Sequence, residues 1–169
     1  MQGIFPDTFS PLDDIAMTDN KNIPNKLKLK EFLPYRLSVL SNQISRSISN
    51  NYEQQFSLSP AQWRIIAVLG EESDLSAAQV AERTAMDKVA ISRAVKKLLA
   101  ANRLERHFSE SDKRRSVLAL SPQGQEIYKQ VVPLALTYEA KIMQQLSKKE
   151  LDCLDYLLKK VSSIEQLID

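Results

Sequence analysis

The chain has one cysteine and one histidine in 169 residues. A single thiol closes no intramolecular disulfide and suits a reducing compartment. One histidine leaves little room for Ser-His-Asp chemistry and almost none for a Cys/His zinc site. The three glycines, Gly3, Gly70 and Gly124, compose neither a P-loop nor a G-x-G-x-x-G turn. No apolar run nears the roughly 20 residues that span a bilayer; the longest is Ile65 to Leu69. The first residues show no basic stretch followed by an apolar one, so no secretory signal is visible. These absences predict a cytoplasmic protein that is not an enzyme, with no catalytic residue, cofactor or metal and no membrane partner. A content of 43% hydrophobic and 26% charged residues excludes wholesale disorder.

The net charge of +2 says little until it is mapped. Between Lys88 and Arg115 lie nine basic residues against three acids, so the rest of the chain is net negative. A basic stripe on an otherwise acidic protein is the electrostatic footprint of phosphate binding, although a solvated charged face has the same composition.

Residues 1–25 carry four aspartates and three prolines without helical period, and read as a mobile arm. Met17 offers an alternative start. From Pro34 to about Tyr52, Leu37, Leu40, Ile44 and Ile48 recur at three- and four-residue steps, the pattern of an amphipathic helix. Ser59-Pro60-Ala61-Gln62 combines an N-cap serine, a proline at the first helical position and a capping-box glutamine. That helix is expected to carry Trp63, Ile66 and Leu69 inward and to stop at Gly70. Ser76 and Gln79 repeat the box for a short helix over 76–84, with Leu75 and Val80 as its hydrophobic staple. After a tight turn, Asp87 caps a third helix reaching about Ala100, and Asn102 stands where a left-handed residue closes it.

The period then changes from helical to alternating. Leu104–Phe108 and Ser116–Leu120 read as the strands of a hairpin with a charged tip. Ser121-Pro122 opens another helix, which Pro133 should kink or interrupt. The last helix, from about Lys148, sets Leu151, Leu154, Leu158, Val161 and Ile168 in one stripe, widened by Leu157 and Ile164. So wide an apolar face needs a partner, within the chain or on a second subunit.

Helix, helix, tight turn, helix and two-stranded hairpin make a mainly α fold with a small β element, a winged helix-turn-helix. At about 100° per residue, Ile91, Ala94, Val95 and Leu98 share one side of the third helix. Lys88, Val89, Ser92, Arg93 and Lys96 point the opposite way. Arginine reads guanine, serine contacts bases or phosphate, lysine holds phosphate and valine meets a thymine methyl, so this face is the candidate DNA-reading surface.

The run from Leu75 to Leu99, followed by Asp112-Lys-Arg-Arg-Ser-Val-Leu-Ala-Leu-Ser121 and Gly124, resembles the MarR family of bacterial transcription regulators. The resemblance covers about residues 33–168. It implies DNA-contacting roles for Ser92 and Arg93 and for the wing residues Asp112, Lys113, Arg114 and Arg115, with Arg114 in the minor groove. It also implies a homodimer on a near-palindromic double-stranded operator. The corresponding organisation is an arm over 1–25, an N-terminal dimerisation helix over 26–55, a DNA-binding domain over 56–121 and C-terminal dimerisation helices over 122–169. Asn102 replaces the family's usual glycine. No cysteine lies in the first helix, unlike the peroxide-sensing branch. Cys153 reads as a packing residue and His107 as a strand residue near DNA.

The stretches Phe32–Arg46 and Trp63–Gly70 are similar to regulators of aromatic-acid catabolism. That similarity implies a small-molecule effector, an aromatic carboxylate or its thioester. Arg46, Ser41 and Asn42 could supply the cation and donors for a carboxylate, and Tyr35 and Trp63 could flank a ring. Equally, Trp63 could be core and Arg46 a surface charge. The leading expectation is a ligand-released repressor of a catabolic or stress operon. The alternative is a winged-helix module that docks a protein partner without specific DNA binding.

Overall fold

The computed structural model describes residues 26–50, 52–108 and 114–168. They divide into two compact units, one ending at Leu40 and one beginning at Ser41. The expected arm over 1–25 lies outside the described residues. Of the first unit, the structure describes a short turn and the first half of α1 (Leu33–Ser49), whose Leu33, Leu37 and Leu40 are exposed.

The second unit holds the rest of α1, then α2 (Glu53–Phe56), α3 (Pro60–Glu71), α4 (Ala77–Thr84) and α5 (Lys88–Ala100). Strands β1 (Leu104–Phe108) and β2 (Ser116–Leu120) follow, then α6 (Pro122–Met143) and α7 (Lys148–Ile168). The fold is therefore mainly helical with one antiparallel hairpin, paired in register from Leu104 with Leu120 to Phe108 with Ser116.

Local chemistry sets the helix starts. Both capping boxes form: Ser59 and Ser76 each accept a hydrogen bond from the backbone N–H three residues on, and Gln62 and Gln79 each accept one back. Asp87 accepts from the Ala90 N–H at 2.8 Å and opens α5. At the end of α5, Asn102 takes φ 54°, the Arg103 N–H reaches Leu98 O, and the Asn102 N–H reaches Leu99 O. This pair of bonds is a Schellman closure, with asparagine in the usual glycine place. Ala85 closes α4 in the same way at φ 51°.

The core lies where α3 meets α4, α5, α6 and β2. Ile65, Ile66 and Leu69 of α3 pack there with Val80, Ile91, Val95, Leu98, Leu118 and Val131, all at most 2% exposed. Each such side chain contributes about 1.5–3 kcal/mol by leaving water.

Several expectations need correction. The first helix ends at Ser49 rather than near Tyr52, and the separate turn α2 follows before Ser57 reverses the chain at φ 49°. Tyr52 is buried in the core, so the backbone bends to place its ring inward. Gly70 does not stop α3, which runs to Glu71, and Gly70 has no positive φ. Of the two effects expected of Pro133, a kink or an interruption, the interruption does not occur, since α6 runs through it. Pro133 and Lys129, the residue whose carbonyl loses a partner, are both exposed, so water can replace the missing bond. The hairpin does not alternate in burial. In β1 only Leu104 is buried, whereas Val117, Leu118 and Leu120 of β2 are all buried, because β2 also bridges Leu75 and packs on α3 and α6. Cys153 is exposed, so it does not serve as a packing residue within this chain.

Candidate nucleic-acid interface and ligand cavity

The amphipathic register of α5 builds the interface. Its buried residues are Ile91, Ala94, Val95 and Leu98, which anchor the helix against α3 and α4. That leaves Lys88, Val89, Ser92, Arg93 and Lys96 all exposed, as the 100° spacing demands. Val89 is 58% exposed, an apolar group held in water among cations. A groove of about 620 Å³ flanks this face. Lys88, Ser92, Lys96 and Arg106 line it over a floor of Ile91 and Val95. Arg106, from β1, is a cation that sequence reasoning counted in the basic stripe without assigning it to the interface. Its strand position alone carried no signal that it would converge on α5.

Of the wing residues, Asp112 and Lys113 lie outside the described residues. Arg114 and Arg115 are exposed. Arg115 donates through Nη2 to Gln79 Oε1 at 3.0 Å. His107 lies on β1 as expected, with Nε2 2.7 Å from Asp74 Oδ1. Phe108 ends that strand 66% exposed.

Three of the proposed effector residues line two neighbouring spaces. Asn42 and Arg46 line a cavity of about 700 Å³ between the second half of α1 and the start of α3, together with Ser45, Ser59 and Arg64. Arg64 donates to Ser45 Oγ at 3.1 Å and adds a second guanidinium that the sequence reading did not assign. Trp63 lines an adjoining space of about 110 Å³ with Ile48, Tyr52 and Arg64. It is also packed in the core margin, 5.8 Å from the Tyr52 ring and 6.3 Å from the Tyr128 ring between centroids. Trp63 thus packs in part as the core alternative expected. Ser41 is exposed and does not line the cavity. Tyr35 belongs to the other unit and is 43% exposed. Burial pushes the Tyr52 hydroxyl up to about 12, with the Glu53 charge adding and Arg64 opposing.

Among the described residues, no group of three or more His, Cys, Asp or Glu side chains could hold a metal ion. No described helix is long and apolar enough to cross a membrane.

Comparison with known proteins gives the site a context. A family model described as MarR family matches residues 56–115, from the end of α2 to the residue before β2. The transcriptional regulator MgrA of Staphylococcus aureus is 26% identical over 99 residues, 59% of this chain and 67% of its own. A MarR/EmrR family regulator from Acinetobacter superposes with a TM-score of 0.74 at 30% identity, covering 83% of this chain and 99% of its own. BpsR of Bordetella bronchiseptica, whose DNA binding is regulated by 6-hydroxynicotinic acid, shares the fold at 21% identity. Its TM-score is 0.68 over 81% of this chain and 97% of its own. With the helix-turn-helix, the wing and the flanking helices in place, this chain belongs to the MarR family of DNA-binding transcriptional regulators.

Proposed function

We propose that the protein is a homodimeric repressor that binds a near-palindromic operator and is released by a small anionic ligand. The observation that carries the DNA arrangement is the single exposed face of α5, where Lys88, Val89, Ser92, Arg93 and Lys96 stand together. An α-helix fits the major groove, and the charged and apolar groups on this face match base edges and phosphates. The wing's Arg114 is the minor-groove residue of this reading, because negative potential there favours arginine, and Asp112 and Lys113 belong to the same wing. Contact with the operator places the protein in the cytoplasm.

Dimerisation is supported by exposed apolar side chains on the terminal helices. Leu154, Leu157, Leu158, Val161 and Ile164 of α7 are between 39% and 51% exposed. A single-chain surface of that kind marks an interface, and two-fold assembly would set the two reading helices about one DNA turn apart.

The ligand reading is supported by the cavity near Arg46 and Arg64. Its volume suits a small organic molecule, and two guanidiniums with Asn42, against the one carboxylate of Glu53 in the lining, suit an anionic ligand. The adjoining wall of Trp63 and Tyr52 suits an aromatic ring. BpsR responds to an aromatic acid, which accords with an aromatic carboxylate or its thioester as effector. The test is titration of benzoates, hydroxycinnamates and their thioesters into a preformed operator complex, with light scattering for assembly. Release by one of them, weakened in Arg46→Ala and Arg64→Ala, supports the reading. A stable monomer at micromolar concentration, or no release by any compound, overturns the corresponding half.

A further inference from the structure

We propose that Arg115 acts as a positioning residue: it seats the wing on the start of α4 through Gln79, and does not serve as a phosphate contact. This inference rests on the DNA-binding reading above and assigns one of its residues a different task.

Three contacts join the hairpin to the segment 74–79. The Leu118 N–H donates to Leu75 O at 2.8 Å, extending the hairpin by an isolated bridge. His107 Nε2 lies 2.7 Å from Asp74 Oδ1. Arg115 Nη2 donates to Gln79 Oε1 at 3.0 Å. The first fixes the depth of the hairpin, because Leu75 and Leu118 are both buried. The other two hold its exposed margin, one from each strand side. Asp74 sits at φ 63°, a left-handed turn that brings its carboxylate beside β1.

The Gln79 oxygen is prepared for this role. It already accepts from the Ser76 N–H at 3.0 Å and from Ser76 Oγ at 2.9 Å, so the capping box fixes its direction before Arg115 arrives. A charged donor on a fixed amide oxygen makes a stronger bond than one between neutral groups. Arg115 is also the residue immediately before β2, at the stem of the hairpin, and not at its tip. The same short segment thus starts α4 and holds the wing, and α4 packs on α5. Spacing between reading helix and wing is then set by one rigid corner, and loosening that corner costs affinity without removing a phosphate contact.

Salt dependence separates the two roles. A lost phosphate contact lowers the slope of log K against log salt by about 0.9. A lost positioning bond lowers affinity at every salt concentration and leaves the slope alone. The experiment compares the parent, Arg115→Met, Gln79→Ala and the double variant on operator DNA across salt. Ser76→Ala serves as control, since it removes the cap hydroxyl while the backbone N–H of residue 76 still holds Gln79 Oε1 in place for Arg115. Thermal melting of each variant checks folding.

The expected result is a loss of about 5- to 20-fold for each single variant, no further loss in the double, and an unchanged slope, because coupled partners are not additive. Ser76→Ala should bind close to the parent. Amide exchange at Leu118, read without DNA, should quicken in Arg115→Met. The proposal is overturned if Arg115→Met flattens the slope by about one unit while Gln79→Ala binds like the parent. It is overturned too if the two losses add, if Arg115→Met binds like the parent, if Ser76→Ala loses as much as Gln79→Ala, or if Leu118 exchange is unmoved. Absence of operator binding by the parent would instead sink the DNA-binding reading, and the exchange measurement would still judge the seat.

Discussion

The ring of Tyr128 occupies the space where a side chain on Gly70 would begin. A Cβ built on Gly70 overlaps three atoms of that ring, so the helix α3 and the helix α6 meet at van der Waals contact through a bare backbone. On its other side Tyr128 stacks against Trp63, with 27° between ring planes. One glycine therefore fixes the position of an aromatic pair, of which Trp63 borders the proposed ligand space.

Replacing a helical glycine by alanine ordinarily stabilises by about 0.5–1 kcal/mol. Gly70→Ala should do the reverse, destabilising by about 1–3 kcal/mol through overpacking against Tyr128. Denaturant melts check this, and Tyr128→Leu in the same background should recover part of the loss. A gain in stability for Gly70→Ala alone would show that the ring moves aside freely.

Tyr52 predicts an alkaline limit to stability. Its hydroxyl is raised from 10.0 to about 12, chiefly by burial, because the charged phenolate is costly in the core. For a raised pKa the contribution is fully present below the unfolded value and fades as pH climbs through the folded one. Stability should therefore fall between about pH 10 and 12, by roughly 2–3 kcal/mol from this group. Tyr52→Phe should remove that part of the pH dependence in melts across the same range.

Ala85 predicts a gain. It holds φ 51° at the turn between α4 and α5, where a Cβ costs about 1–2 kcal/mol. Glycine there relieves the strain and gives back roughly 0.4–1 kcal/mol through a freer unfolded chain. Ala85→Gly should raise stability by about 0.5–1 kcal/mol, measured as a higher denaturant midpoint at unchanged slope. Operator affinity should hold, because Ala85 lies outside the α5 reading face.

Contacts on α5 divide by task. Arg93→Ala should cost about 1–3 kcal/mol on the best operator and far less on random DNA, since a base contact carries sequence information. Lys96→Ala should weaken both alike and reduce the salt slope by about one. Titrations on specific and random duplexes at several salt concentrations distinguish them. Equal losses on both duplexes for Arg93→Ala would remove it from the base-reading set.

What the amino-acid sequence determined by itself is what depends on residues three or four positions apart. The boxes at Ser59–Gln62 and Ser76–Gln79, the Asp87 cap, the Asn102 closure and the two faces of α5 are all of this kind, because capping bonds and helical period act within a turn. The hairpin limits were legible for a similar reason, as the chain's period changes at Leu104. Only the tertiary structure decided the rest. Gly70 looks like a helix stop in sequence, yet its role is set by a ring 58 positions away that no local pattern announces. Arg64 reaches the cavity through a serine 19 positions earlier, and Arg115 finds its partner 36 positions back. The strands lost their expected alternation because β2 also bridges Leu75 and packs on α3, both distant in the chain, as well as on α6. A side chain's surroundings in such places are fixed by which surfaces the folded core brings together, and the free energy of that packing resides in pairs that the linear order keeps apart.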